Sequence, residues 1–211
     1  MSLPVSHGTA SSEIAERIAR AAARLFASEG YDATSVRNIV EAANVTKPTL
    51  YYYFDSKETL AQRLLLDALE KLTTGMRSIL AGSAPATEKL VALIDEHFRL
   101  CRDDPDRARF AYAVFFGPRN SQLSTMLADV GQELTELVTS VVGALAAERI
   151  IAAERTEECT AAVRGLVAIY TMDYLYRDLN LDAGLARRLV VDLLEGFSDH
   201  AARHLGEPQR N

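Results

Sequence analysis

A dense group of hydroxyl, aromatic and basic side chains lies between Thr34 and Lys57, in the run T-S-V-R-N-I-V-E-A-A-N-V-T-K-P-T-L-Y-Y-Y-F-D-S-K. Hydroxyl, amine and phenol groups are those that contact DNA phosphates and base edges. At about 100° per residue, the second half of this run has two faces. One face carries Leu50, Tyr53 and Phe54, and the other carries Pro48, Tyr51, Tyr52 and Asp55. Three consecutive tyrosines on a plain surface helix would expose costly apolar area, so the pattern favours a contact surface over an ordinary helix.

Two short helices are needed to position these side chains. Apolar residues recur at helical spacing from Val36 to Ala43, and Thr34 is the predicted N-cap of this first helix. Asn44 enters the left-handed region cheaply and predicts a sharp turn. Thr46 then caps the second helix, and because Pro48 has no N–H, the Thr46 hydroxyl is expected to accept from the N–H of Thr49. The sequence therefore predicts a helix-turn-helix, whose second helix enters the major groove of DNA by its N-terminal end.

This run closely resembles the DNA-binding domain of TetR-family transcriptional regulators, whose pattern is similar to T-x-x-x-I-A-x-x-A-G-V-S-x-G-x-L-Y-x-Y-F-x-S-K-E-x-L. Asn44 and Pro48 stand where the family often has glycine. The resemblance implies a homodimer on a palindromic operator, most often as a repressor. The candidate DNA-binding residues are Thr34, Ser35, Arg37, Thr46, Lys47, Pro48, Thr49, Tyr51, Tyr52 and Lys57.

A long helix is predicted to start at Lys57, capped by Asp55 or Ser56, with Asp55 and Glu58 spaced as a capping box. A cation in the first turn opposes the helix dipole, and a phosphate at that end would offset the repulsion. Lys57 is therefore interpreted as a phosphate contact. Arg17, Arg20 and Arg24 recur on the outer side of the first predicted helix, where a solvated face and a phosphate contact both remain open.

The rest of the chain also has helical patterns, so the predicted fold is all-α. It consists of an N-terminal three-helix helix-turn-helix domain, residues 1–56 with a disordered tail at 1–10, and a larger helical ligand-binding and dimerisation domain, residues 57–211. Asp104-Pro105 opens one helix of the second domain, and the last two helices are predicted at 156–179 and 182–204. These two are apolar on more than one face and need a second partner. A homodimer through them supplies it, with a larger monomeric core as the alternative.

Composition argues against several classes of protein. The 211 residues carry a net charge of −6, and residues 1–60 hold six Lys and Arg against seven Asp and Glu, a net −1. Indiscriminate nucleic-acid binding, which needs many phosphate contacts, is therefore not expected. No run approaches a membrane span and no signal peptide is evident, so a cytoplasmic location is expected. Cys101 and Cys159 lack a metal or redox spacing and are expected to be reduced core thiols.

The sequence contains none of the usual signatures of phosphoryl transfer, zinc hydrolysis, acyl transfer or di-iron bundles. His200 and His204 share a helix face but are typical of surface residues near a helix C-terminus, so no metal site and no cofactor is expected. A pocket for an unknown small hydrophobic or aromatic effector is more plausible, although core packing explains the same residues equally well. The candidate ligand-binding residues are Phe98, Tyr112, Phe116, Tyr170 and Asp173.

These patterns predict a ligand-responsive transcriptional regulator, in which an effector in the larger domain releases the dimer from its operator. A helical enzyme or metal-binding bundle with a helix-turn-helix-like start is the alternative. A protein-interaction module that has lost DNA binding is a third interpretation, but its mark would be a degraded second helix, which 46–54 does not show.

Overall fold

The computed structural model describes residues 7–118 and 122–197. Within these ranges the chain is all-helical, as predicted, and contains no strand. The helices are α1 (His7–Glu29), α2 (Val36–Ala43), α3 (Lys47–Tyr53), α4 (Lys57–Ala81), α5 (Ala86–Asp103), α6 (Pro105–Phe115), α7 (Gln122–Ala147), α8 (Thr156–Tyr176) and α9 (Leu185–Phe197), with a 3-10 turn at Ala153–Arg155. None of them is both long and apolar enough to cross a bilayer.

Several helix ends differ from the predictions. α1 begins at His7, so residues 7–10 of the predicted tail are helical; they contain no proline, and their single glycine costs only about 1 kcal/mol. α9 begins at Leu185 rather than Asp182, because Gly184 has φ +98°, which a helix cannot contain. Residues 1–6 of the tail, His200 and His204 lie outside the described residues.

The chain forms two compact units. The first comprises Met1–Leu69 with Asp104–Thr125, and the second comprises Glu70–Asp103 with Met126–Asn211. The predicted domain boundary after residue 56 stays a prediction, but these units differ from it in two respects. The first unit extends past residue 56 to Leu69, within α4. Helix α6 belongs with the N-terminal helices, which its place in the sequence did not indicate.

The first unit has a core to which α1, α2, α3 and α6 contribute. Ile39 on α2 and Leu50 on α3 are fully buried, as is Phe26 on α1. The Phe26 ring lies 4.9 Å from that of Phe110 on α6 and 5.3 Å from that of Tyr31, so three rings join α6 to the loop after α1. Burial of large aromatic side chains is a major source of stability, which explains why α6 packs here.

One buried cation also ties α6 to α1. The guanidinium of Arg107 lies 3.1 Å from a carboxylate oxygen of Glu16 and 3.0 Å from one of Asp104. Asp104 is also the N-cap predicted before Pro105, since its side chain accepts from the N–H of Arg107 at 3.0 Å. A buried charge needs such partners, so α6 has a defined position on α1.

The second unit packs α5 against α8 and α9 around residues such as Leu90, Leu93, Val163 and Val190. The guanidinium of Arg102 on α5 donates to the carbonyl of Leu181 at 2.8 Å, which holds the loop before α9. Cys101 and Cys159 are free and buried in this unit, so the expectation of core thiols is confirmed.

Candidate nucleic-acid interface

Helix α2 starts one residue later than predicted. Its N-cap is Ser35, whose hydroxyl accepts from the N–H of Asn38 at 3.2 Å, while the Asn38 side chain accepts from the N–H of Ser35 at 3.1 Å. This reciprocal pair satisfies two backbone donors at the helix start. Thr34, the predicted cap, is 1% exposed, and its hydroxyl donates to the carbonyl of Gly30 at 2.8 Å.

The turn between α2 and α3 has the predicted geometry. Asn44 is the C-cap, with φ 50° and ψ 54° in the left-handed region. The N–H of Val45 then donates to the carbonyl of Val40 at 3.0 Å. This bond closes the end of α2, so the chain reverses within two residues and enters α3 directly.

Helix α3 is positioned by its cap and by one buried residue. The hydroxyl of Thr46 accepts from the N–H of Thr49 at 3.3 Å, which confirms the predicted cap. Leu50 is fully buried, whereas Tyr51 is 48% and Tyr52 is 80% exposed. The tyrosines therefore face outward, as the helical spacing predicted. Thr46, Lys47 and Pro48 are exposed beside them, and Thr49 is partly exposed.

Thr34 and Lys57, two of the ten predicted DNA-binding residues, donate from their side chains to backbone carbonyls of the same unit. The ammonium of Lys57 donates to the carbonyls of Tyr31 at 2.8 Å and Thr34 at 2.9 Å, and it lies 4.2 Å from the centre of the Tyr31 ring. Burial raises the pKa of Tyr31, and the charges of Glu58 and Asp32 raise it further, so the ring stays neutral. The loop before α2 packs against the start of α4, where two of its carbonyls accept from Lys57. The side chain of Thr34 is buried in this loop.

Of the two caps predicted for α4, the structure has Ser56, and Asp55 does not take the capping position that its spacing to Glu58 suggested. The hydroxyl of Ser56 accepts from the N–H of Thr59 at 3.0 Å, so Ser56 takes the capping position. One of the orphan N–H donors of the first turn is therefore satisfied within the chain.

Arg17, one of the three arginines noted on α1, lies at the other end of α2. One nitrogen of the Arg17 guanidinium on α1 donates to the carbonyl of Ala43 at 2.9 Å and to that of Asn44 at 3.1 Å. A separation of 26 residues gives no local signal for this contact. Arg17 is exposed, so it lies on the solvated face that the sequence left open, but one of its nitrogens is used by the end of α2.

Two of the arginines around α2 and α3 are paired with glutamates within the chain. Arg37 on the exposed side of α2 donates to Glu41 at 2.7 Å, which raises the pKa of the arginine. Arg20 on α1 lies 3.7 Å from Glu16. Exposed pairs of this kind contribute little to stability, but they weaken the positive field that DNA would meet. The outward face is therefore dominated by hydroxyl and aromatic groups.

The five predicted ligand-binding residues are divided between the two units. Phe98 on α5 is fully buried, and Tyr170 and Asp173 on α8 are partly buried, all in the second unit. Asp173 lies 3.4 Å from Arg177. Tyr112 and Phe116 belong to the first unit, where their rings are 5.7 Å apart and Phe116 is exposed. The five are thus not gathered within one unit. Among the described residues no cluster of His, Cys, Asp or Glu is arranged to hold a metal.

Comparison with known proteins gives a family match within the first unit and a partial match to a regulator. The family model described as bacterial regulatory proteins, tetR family, matches residues 18–64. The transcriptional repressor KstR2 of Rhodococcus jostii (strain RHA1) is 31% identical over 127 residues, which are 58% of this chain. The chain spans 60% of the length of that relative.

Solved structures extend the likeness to most of the chain. A regulatory protein in the tetR family from Rhodococcus RHA1 has a TM-score of 0.73 at 20% identity and covers 88% of this chain and 97% of its own. FadR from Bacillus subtilis, solved in complex with stearoyl-CoA, has a TM-score of 0.69 at 20% identity, with coverage of 87% and 97%. At these identities the structures show a shared fold.

Proposed function

Since this chain belongs to the TetR family of bacterial regulatory proteins, we propose that it is a DNA-binding transcriptional repressor that responds to a small ligand. The family is one of regulators rather than enzymes, so the alternative of a helical enzyme or metal-binding bundle is set aside. The observation that carries the proposal is the outward face of α3. It presents Thr49, Tyr51 and Tyr52 on a helix fixed by Leu50 and by the turn at Asn44.

Base contacts are assigned to this face. Threonine and tyrosine hydroxyls can bond to phosphates and base edges, and aromatic and methyl groups can contact thymine methyls. Ser35 and Arg37 on α2, with Thr46, Lys47 and Pro48 on α3, are exposed beside it and complete the proposed set. Thr34 is left out of it because its side chain is buried, and Lys57 because its ammonium donates to two backbone carbonyls.

The proposed active form is a homodimer joined through α8 and α9. Ile169 and Tyr176 on α8 and Val191 on α9 are large apolar side chains that are about half exposed. Pairing these helices between two copies would cover them. Two copies of α3 could then enter successive major grooves, about 34 Å apart, on a palindromic operator.

The proposed ligand is small and hydrophobic or aromatic and binds in the second unit, with Phe98, Tyr170 and Asp173 as candidate contacts. The fatty acyl thioester carried by FadR supports an apolar ligand as the first class to test. Ligand binding would release DNA to the extent that the ligand prefers the form of the dimer that does not fit the operator.

A gel-shift assay on the intergenic DNA adjoining the gene tests whether the outward face of α3 contacts DNA. Thr49→Ala combined with Tyr51→Ala removes two outward side chains without touching the core, so binding should be lost while the helical circular dichroism and the unfolding midpoint are retained. Thr74→Ala removes an exposed threonine from α4 and is the matched control, which should bind normally. Unchanged affinity in the double variant would refute the assignment of α3 as the reading helix.

Selection of bound fragments from genomic DNA tests the wider proposal. Enrichment of a palindrome with half-sites about one helical turn apart is expected for a symmetric dimer. Recovery of fragments with no common sequence would contradict specific regulation.

A further inference from the structure

Helix α2 is held at both of its ends by cations that come from other helices. Lys57 of α4 bonds to the loop that enters α2, and Arg17 of α1 bonds to the carbonyls at which α2 ends. We propose that these two are positioning residues for DNA recognition, which fix the orientation of α2 and hence of α3, and that Lys57 makes no phosphate contact. The inference rests on the proposed function where it concerns DNA, and on the geometry alone where it concerns α2.

The surroundings of Lys57 leave little of its ammonium for DNA. An ammonium has three N–H donors. Two are used by the carbonyls of Tyr31 and Thr34, and the Tyr31 ring, whose centre is 4.2 Å from the nitrogen, faces the ion from a third side. Thr34 immediately precedes the cap of α2, so these bonds define where the helix begins.

Tyr31 is itself fixed by its neighbours. Its ring packs 5.3 Å from that of Phe26 on α1 and 6.5 Å from that of Phe110 on α6. The Tyr31 carbonyl that receives Lys57 therefore belongs to a residue anchored in the core of the first unit. Lys57 thus joins the start of α4 to a rigid point, and α2 begins five residues beyond it, at Val36.

Arg17 has the corresponding role at the end of α2. The last carbonyls of a helix have no partner within it and carry the negative end of the helix dipole. The left-handed Asn44 turns the chain so that the carbonyls of Ala43 and Asn44 both accept from one nitrogen of Arg17. The next residue but one is Thr46, the cap of α3, so a shift of this end would be passed directly to the reading helix.

Amide hydrogen exchange on the DNA-free protein tests the geometry. Lys57→Met keeps the apolar stem and removes the donors, so exchange at the N–H of Thr34 should rise by about tenfold or more. Arg17→Met should do the same at the N–H of Val45, which closes the other end. Lys47→Met, an exposed lysine on α3, is the matched control and should change neither. Unchanged exchange at both reporters would overturn the proposal.

The salt dependence of binding separates positioning from phosphate contact. The probe is a duplex recovered by selection from random-sequence DNA, titrated between about 50 and about 200 mM salt. Lys57→Met should weaken binding about tenfold while the slope of log K against log salt stays at the wild-type value, whereas loss of one phosphate contact reduces it by about 0.9. Lys47→Met removes a cation from the proposed DNA-contacting face. It is the positive control and should reduce the slope of log K against log salt.

The hydrogen-exchange experiment and the salt-dependence experiment can fail independently of each other. A reduced slope in Lys57→Met together with normal exchange at Thr34 would make Lys57 a phosphate contact and overturn the inference. If the wild-type protein selects no DNA, the proposed function fails, and the exchange data alone decide whether α2 is held as described. Arg17 is on the surface, so Arg17→Met supplies the exchange test even if Lys57→Met does not fold.

Discussion

Asn44 offers a quantitative test of how the turn before α3 is built. Its φ of 50° and ψ of 54° lie in the left-handed region, where an ordinary L-residue is disfavoured by about 1–2 kcal/mol. Asparagine tolerates this region better than alanine or β-branched residues do. The bonds from Arg17 reach backbone carbonyls, and they survive any change of the Asn44 side chain.

The expected changes in the free energy of unfolding follow from these costs. Asn44→Ala should destabilise by about 1 kcal/mol, and Asn44→Val, which is β-branched, by about 2 kcal/mol. Asn44→Gly should stay within about 0.5 kcal/mol of wild type, because relief of strain in the folded state is offset by the larger entropy of glycine in the unfolded chain.

Ala42, two residues before Asn44, is a control position at which substitution by glycine should destabilise the protein. Ala42 is exposed in the right-handed part of α2, where Ala42→Gly should cost about 0.5–1 kcal/mol. Urea unfolding followed by circular dichroism measures all four variants, with the slope of the transition expected to be unchanged. The reasoning fails if Asn44→Val is as stable as wild type, or if glycine costs as much at 44 as at 42. The affinity for DNA measured by gel shift should fall in the same order of variants, because this turn sets the position of α3.

Three further predictions concern the second unit. Arg149 has a φ of 59°, so replacing it with glycine should raise the urea midpoint by the equivalent of about 0.5–1 kcal/mol, and a lowered midpoint would contradict this. Burial raises the pKa of Cys101 to about 12, although the hydroxyl of Thr171 and the charge of Arg102 oppose it, so a thiol reagent at pH 8 should leave this cysteine unmodified until urea unfolds the protein; rapid labelling of the folded form would be the contrary result. Burial lowers the pKa of His97 from 6.5 to about 4, so the unfolded chain takes up this proton first as the pH falls, and stability that is complete above pH 6.5 is lost towards pH 4, by at most about 3 kcal/mol. His97→Gln should reduce the change in the free energy of unfolding over that pH range. An identical pH dependence in the variant and the wild type would exclude the effect.

The sequence was sufficient for the parts of the first unit that depend on local periodicity. Val36 to Ala43 and Leu50 have the spacing of one-sided helices, and Asn44 and Thr46 are residues with strong turn and cap preferences, so α2, the turn and α3 could be placed. The cap was misplaced by one residue because Thr34 and Ser35 are both good caps. Burial of the Thr34 side chain, which depends on tertiary packing, decided in favour of Ser35.

The remaining errors concern contacts between residues distant in sequence. Nothing near Lys57 indicates that the carbonyls of residues 31 and 34 lie within 2.9 Å of it, so its position in the first turn of α4 suggested a phosphate. Arg107 is likewise buried against Glu16, which is 91 residues away in the sequence. Helical periodicity identifies the face that is buried, but not which helix covers it, and for this reason α6 was not assigned to the first unit.

The internal use of cations bears on how the protein can recognise DNA. Arg17 and Lys57 bond to carbonyls, and Arg37 is paired with Glu41, while residues 1–60 already carry a net charge of −1. Each phosphate contact adds affinity that is independent of sequence, so a reading unit with few such contacts binds weakly as one copy but discriminates through its base contacts. Joining two copies raises the effective concentration of the second reading helix without adding charge. The apolar surface of α8 and α9 and the weak field around α3 therefore support the same proposal, in which specificity comes from α3 and affinity from pairing.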